Sequence, residues 1–292
     1  MDSNQRRDTI IQAETFRRNV FRLIPDGARR VLDFGCGTGA LALRLQRDKK
    51  CTEVYGLEVN PALTRELATL LDGGVFNLNI ENQGETLDSR YRGYFNYIIL
   101  HDVVEHFYDP WYSLPKLREF LAPGGKLLIA TPNFHYWELQ YKILSGDFPY
   151  GPGLWHTGHL RWYTVRSLIE LVSLSGLAIE SIFLEIPDLV DLGHLERHAE
   201  IRGVQLPPVE IAARHPGLEP LVLRYPRDIK AYYPVFLAHK LIFVCNARPN
   251  VVVEPQPMVY NCMRLQRLRE MVDNPFDVYT PPPMTPLIGD WC

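Results

Sequence analysis

No apolar run in this sequence approaches the ~20 residues that a bilayer-spanning helix needs, and the polar start Met1-Asp2-Ser3-Asn4-Gln5-Arg6-Arg7 lacks a signal-peptide core. Basic residues are in no surplus: 31 Lys and Arg stand against 34 Asp and Glu, a net charge of −3. That argues against nucleic acid as the main partner, because neutralising phosphates needs a basic face. Cys36, Cys51, Cys245, Cys262 and Cys292 are scattered without paired spacing. They suggest neither a disulfide framework nor a zinc motif, so reduced thiols, a cytoplasmic location and no metal are expected. Internal repeats are absent. The 292 residues, 46% hydrophobic and 22% charged, suit one large core with an insertion or appendage, and exclude a disordered chain.

Against that plain background, residues 31–39 stand out: Val31-Leu32-Asp33-Phe34-Gly35-Cys36-Gly37-Thr38-Gly39 is an apolar strand running into a turn of alternating glycines. A second apolar run, Val54-Tyr55-Gly56-Leu57-Glu58, ends in an acid. Glycines let a ligand approach the backbone, and an acid at the next strand tip can accept hydrogen bonds from two ribose hydroxyls. An adenosine-bearing cofactor is implied. Gly35, Gly37 and Ala40 also fit the loose dinucleotide pattern, so Asp33 is the discriminator. A carboxylate there repels a pyrophosphate by several kcal/mol at an effective dielectric constant of roughly 20. It suits S-adenosylmethionine, which carries a sulfonium, an ammonium and no phosphate.

Helix and strand signals alternate along the chain. Helical spacing over 5–24 stops at Pro25-Asp26-Gly27, and strands are expected at 30–34, 53–58, 75–79, 95–101 and 126–131. Helices fall between them at 39–47, from Asn60-Pro61, and at 111–121. A helix at 164–175, capped by Thr164, precedes strands at 179–185 and 240–245. The fold class is α/β: a Rossmann-like, mostly parallel sheet with helices on both faces, which binds ligands beyond the carboxyl ends of its strands. Asp33, Glu58, Asn79, His101 and Thr131 fall at such ends and are expected to line one cleft. Residues 1–248 form the domain, with a proline-interrupted insertion at 187–236 serving as a lid or an inert excursion. Residues 249–292 form a proline-rich extension with one helical signal at 262–272 and no regular structure expected from 279 onward. That tail would pack on the domain or on a second subunit, making a homodimer.

The glycine turn resembles the first motif of class I methyltransferases. His101-Asp102-Val103-Val104-Glu105-His106, Pro123-Gly124-Gly125 and Thr131-Pro132-Asn133 continue the likeness. Tyr150 to Leu154 and His156 to Thr164 look like a subgroup tied to quinone, sugar and surface-glycan methylation. The resemblance covers about residues 5–185 plus the last strand, and implies a seven-stranded sheet whose last strand inserts antiparallel between the fifth and sixth. It assigns the cofactor to Gly35, Cys36, Gly37 and Gly39 by backbone, with Asp33 near the methionine ammonium. Glu58 would hold the ribose, Val59 would pack on the adenine, Asn79 and Ile80 would meet its edge, and the His101 backbone would close the methionine pocket. Where Asn79 stands, related enzymes commonly carry an aspartate.

Methyl transfer to a hydroxyl needs alignment and removal of a proton, and a near-neutral imidazole suits the second task. His106 is the candidate base and Glu105 would orient it or raise its basicity, or the pair simply ties the loop. In some quinone methyltransferases of this type an acid joins the Glu-His pair around a divalent metal. Asp102, Glu105 and His106 match that set, provided the backbone brings all three together. His159 is a second candidate base. His156, Arg161 and Tyr163 would bind a hydroxylated acceptor, with His135 and Tyr136 as a wall, although each also reads as loop or core packing. The expected activity is O-methylation of a small sugar or ring compound. A peptide or protein methyltransferase and an inactive cofactor-binding subunit are the alternatives.

Overall fold

A computed structural model describes residues 3–13, 17–144, 148, 150–151, 153–186, 209–211, 221–223, 235–249, 251, 253–255 and 284–288. Two N-terminal helices, α1 (Ser3–Ala13) and α2 (Arg18–Leu23), lead into β1 (Arg29–Phe34). Then come α3 (Ala40–Arg47), β2 (Thr52–Leu57), α4 (Pro61–Leu67) and β3 (Gly74–Phe76). After these follow β4 (Phe95–His101), α5 (Pro110–Arg118), β5 (Leu121–Pro132), α6 (Trp137–Leu144), α7 (Val165–Leu174) and β6 (Leu177–Ile186). Short strands β7 (Val209–Ile211) and β8 (Leu221–Leu223) pair with each other; β9 (Lys240–Ala247) and β10 (Met284–Ile288) complete the set.

The main sheet runs β3-β2-β1-β4-β5-β9-β6-β10, with β9 antiparallel between β5 and β6. The seven-stranded Rossmann-like sheet expected from the sequence is therefore present, with β10 added at its edge. Central strands are continuous apolar runs because helices cover both faces. Alternate side chains go to opposite cores: Ile98 and Leu100 join Leu32 and Leu127 on one face, while Ile99 joins Val31 and Leu128 on the other. Local signals start the helices. Asn60 Oδ1 accepts from Ala62 N at 2.9 Å ahead of Pro61, Asp109 Oδ1 accepts from Tyr112 N at 3.1 Å ahead of Pro110, and Thr164 and Ser167 form a capping box.

Three expectations are corrected. β3 stops at Phe76, because Asn77 Nδ2 turns back to donate to the carbonyls of Glu58 and Val59 at 2.8 and 3.0 Å. β5 begins at Leu121 and carries Pro123-Gly124-Gly125 within it, where a register shift opposite Phe95 to Tyr97 absorbs the irregularity. Residues 284–288 form a parallel edge strand on β6, with Pro286 opposite Leu184. An edge strand has a free side on which a missing N–H costs nothing. The helix expected at 262–272 and most of the 187–236 insertion lie outside the described residues.

Candidate active site

The glycine turn after β1 faces one end of the sheet. Asp33 is fully buried at the strand tip. A Cβ on Gly35 would come 2.7 Å from Val103 Cγ2, and one on Gly39 would come 2.5 Å from Leu67 Cδ2, so both glycines permit tight packing. Gly37, at φ 56°, has nothing within 4 Å of where a Cβ would stand. It borders the open space. The turn's N–H groups point inward: Gly35 and Cys36 donate to Leu57 O at 2.8 and 3.0 Å, and Gly39 donates to Cys36 O at 2.8 Å. Gly37 N donates to Glu58 Oε2, and Asn60 N donates to Glu58 Oε1, both at 2.9 Å.

That arrangement bears on the ligand. A phosphate-binding loop aims its N–H groups outward, whereas this one spends them inside and leaves a carboxylate at the rim. Both Glu58 oxygens keep lone-pair capacity for hydroxyls. Val59 is 58% exposed beside a concavity of about 600 Å³ that Asn77, Leu78, Asn79 and Thr86 also line. The residues fit an adenosine carrying positive charge. Asn79 Oδ1 accepts from Glu81 N at 3.0 Å, while the Ile80 side chain lies in the core and its carbonyl accepts from Lys116 Nζ. Any contact of Ile80 with a ligand edge thus falls to its backbone. Burial, with the charges of Asp33 and Glu58, pushes the Cys36 thiol far up, so Cys36 packs as a neutral side chain.

Past the end of β4 lies a cavity of about 330 Å³ whose lining includes Asp102, His106, His156, His159, His239 and Lys240. Asp102 follows β4 with φ 55°, a left-handed conformation that is strained for most L residues and tolerated by aspartate. Lys240 Nζ donates to Asp102 Oδ2 at 2.6 Å, and His101 Nδ1 lies 3.1 Å from the same oxygen. Burial opposes the charge on Asp102, and the His101 ring and the Lys240 ammonium more than offset it, so the carboxyl stays well below the usual carboxylate range. Burial, reinforced by Lys240, lowers His101 and keeps that ring neutral, which makes Lys240 the cation that balances Asp102.

The chain then makes a 3₁₀ turn, Val104–His106. Glu105 is 1% exposed; its Oε2 accepts from Thr131 Oγ1 at 2.9 Å, while Oε1 has no hydrogen-bond partner and sits 4.0 Å from His159 Nε2. Burial, aided by the Asp102 charge, pushes Glu105 up to about 8. At neutral pH it holds its proton. A strap at 158–161 is pinned over this turn by Leu160 N and Arg161 N, which donate to Glu105 O at 2.8 and 2.9 Å. The strap brings three imidazoles together, with ring centroids 4.8 to 5.6 Å apart. His106 Nδ1 lies 2.9 Å from Gly158 O, and His159 Nδ1 lies 3.3 Å from Leu154 O. Where both donate to those carbonyls, each Nε2 carries a lone pair. Burial lowers His106 and His159, so both are neutral bases near pH 7.

A profile of a methyltransferase-domain family matches residues 6–182, more than half of the chain. The chain belongs to this S-adenosylmethionine-dependent methyltransferase family. A ubiquinone biosynthesis O-methyltransferase of Bradyrhizobium diazoefficiens is 31% identical over 136 residues, which are 46% of this chain and 51% of that one. A Cereibacter sphaeroides protein of the same name is 29% identical over 188 residues, 59% and 70% of the two chains. The match thus spans about half of the first relative's length. Among solved structures, a SAM-dependent methyltransferase from Archaeoglobus fulgidus aligns with a TM-score of 0.51 at 17% identity, over 82% of this chain and 93% of that one. One from Mesorhizobium loti gives 0.50 at 14% identity, over 80% and 99%. At such identities the structures establish the fold.

Within this domain the expected site residues are sorted by the strap. His106, His156 and His159 share the cavity. Glu105 lies beneath them, and His159, not His106, is the imidazole nearest its unpaired oxygen. Tyr136 and Tyr163 are buried in the core, at 5% and 4% exposure; the Tyr163 hydroxyl reaches Val104 O at 3.4 Å. They support the wall from behind. Arg161 donates to Tyr108 O and lies by the Tyr108 and Trp111 rings, bracing the strap, and the His135 ring lies against Phe236. Among the described residues Asp102 and Glu105 do not gather around His106: Asp102 is bonded to Lys240 and Glu105 to Thr131. Lys240 and His239 were missed by sequence reasoning. The available signal was strand direction, since an antiparallel last strand starts at the end where its parallel neighbours finish. Among the described residues no helix is long and apolar enough to cross a membrane.

Proposed function

We propose that the methyltransferase transfers a methyl group from S-adenosylmethionine to a hydroxyl oxygen of a small acceptor, a sugar or hydroxylated ring. When bound, the donor supplies a methyl group made electrophilic by its sulfonium. Glu58 would accept from the ribose hydroxyls, Val59 would carry the adenine, and Asp33 would supply negative charge near the methionine ammonium. The loop after β4 touches the glycine turn through Val103 and Gly35, so His106, three residues on, stands close to the donor end of the cleft. The observation that carries the reading is the cluster of neutral imidazoles in a cavity of about 330 Å³, a size for a small molecule. His106 or His159 would take the hydroxyl proton through Nε2 as the carbon–oxygen bond forms. The likeness to relatives named as O-methyltransferases supports oxygen as the accepting atom.

Incubating the protein with methyl-labelled S-adenosylmethionine and cell extract tests this. Label in a low-molecular-mass product is expected. Label in polypeptide would replace the reading with a protein methyltransferase, and donor binding without transfer would point to an inactive subunit.

A further inference from the structure

We propose that His106, His156 and His159 form a divalent-cation site, suited to Zn²⁺, in the wall of the acceptor cavity. One ring nitrogen from each lies within 4.8 Å of the others. Three imidazoles bound to zinc at about 2.0–2.1 Å hold their nitrogens roughly 3.3 Å apart, so small side-chain shifts close the cluster. Two rings are already set for it. Metal-bound histidines usually present their second nitrogen to a carbonyl or carboxylate, and the Nδ1 atoms of His106 and His159 meet the carbonyls of Gly158 and Leu154. That leaves Nε2 on each for the ion. His156 is exposed and accepts Gly158 N–H on its Nδ1 at 3.1 Å, so its ring turns over to ligate, a rotation open to a surface side chain.

A second observation points to the same place. Glu105 Oε1, in a residue only 1% exposed, has no hydrogen-bond partner and lies 4.0 Å from His159 Nε2. Buried carboxyl oxygens without a partner are rare; a cation at the histidines would face this one and, with loss of the carboxyl proton, give it a partner. This ligand set shares only His106 with the acidic set implied by resemblance. Three imidazoles with an open fourth position are the arrangement of catalytic zinc, not of closed structural zinc.

The chemical consequence deepens the proposed O-methylation and rests on it. The ion coordinates the acceptor hydroxyl and its proton leaves to solvent. The oxygen lone pair then forms the new bond to carbon as the sulfur–carbon bond breaks, which yields the methyl ether and S-adenosylhomocysteine. With the ion bound, this route replaces the direct proton transfer to His106 or His159 that the metal-free cluster would carry out.

The test uses the full chain stripped with EDTA and dialysed. Zn²⁺ is titrated against a chromophoric chelator, and Co²⁺ is added separately and followed in the visible. About one Zn²⁺ per chain, tetrahedral cobalt bands, and an affinity about 100-fold lower in His156→Ala and His159→Ala are expected. His156 is exposed, so its variant keeps the fold even where His159→Ala does not. Absent zinc uptake, or uptake unchanged by His156→Ala, overturns the site. Calorimetry of S-adenosylhomocysteine on the same stripped protein separates the two readings. Its heat without zinc uptake overturns the cation site and leaves the methyltransferase reading standing.

Discussion

Replacing Glu105 by Gln tests whether the acid beneath the histidines is neutral in the fold. The side chain is 1% exposed, and burial together with the Asp102 charge moves its pKa from 4.5 to about 8. The folded protein therefore keeps a proton that the unfolded chain releases between those values. Stability from this group is fully present below pH 4.5 and declines as pH rises towards 8. One pKa unit corresponds to about 1.4 kcal/mol, so between pH 6 and pH 9 the wild type loses roughly 3 kcal/mol through Glu105. The amide of Glu105→Gln has no proton to release, while its carbonyl can still accept from Thr131. Other titrating groups cancel in the difference. Urea unfolding of both proteins in EDTA, at about pH 6, 7, 8 and 9, should therefore show the variant gaining on the wild type. The gap should widen by about 3 kcal/mol across that range and level off above about pH 8. A constant or narrowing gap would refute the assignment of a protonated Glu105.

Gly37→Ala keeps the fold at a cost of about 1–2 kcal/mol for a left-handed alanine, since its Cβ meets nothing in the protein. It should still abolish measurable S-adenosylhomocysteine binding by calorimetry, because that Cβ enters the cleft. Glu58→Gln should weaken the same ligand about 10- to 100-fold through a lost charged hydrogen bond. Because the amide nitrogen cannot accept from Gly37 N or Asn60 N as the carboxylate does, the melting temperature should also fall by a few degrees, roughly 2–4 °C per kcal/mol. Equal affinity would remove Glu58 from the ribose. Ile99→Ala, at a position with no exposed surface, should cost about 2–5 kcal/mol in chemical unfolding and leave donor affinity in native buffer nearly unchanged.

Strand and helix identity was legible because its causes are local. Continuous apolar runs gave β1, β4 and β9, and Asn60-Pro61 and Thr164 marked helix starts that their side-chain caps explain. The glycine turn was legible too as a strand-to-helix connection, since an acid, three glycines and a second acid lie within one βαβ unit. What the glycines do was not: Gly35 and Gly39 are occupied by packing against Val103 and Leu67, which come from other segments. The acceptor side depends on contacts remote in sequence. The strap that meets Glu105 O lies more than fifty residues downstream (His106 to Gly158 spans 52 positions). From sequence, Glu105 belongs with its neighbour His106; in the fold it belongs with Thr131 and His159. Tyr163 reads as polar beside a cleft, yet the bridge between Asn133 and Tyr163 draws it into the core. β10 was missed because prolines at 283 and 286 argue against a strand in general, and only an edge position lifts that objection.

The most direct measurement is a paired calorimetric titration of the protein with S-adenosylhomocysteine and with NADH. A turn that spends its N–H groups inward and holds Glu58 at its rim predicts saturable heat with the first ligand and none with the second. Heat with NADH alone would contradict a cleft shaped for a sulfonium donor.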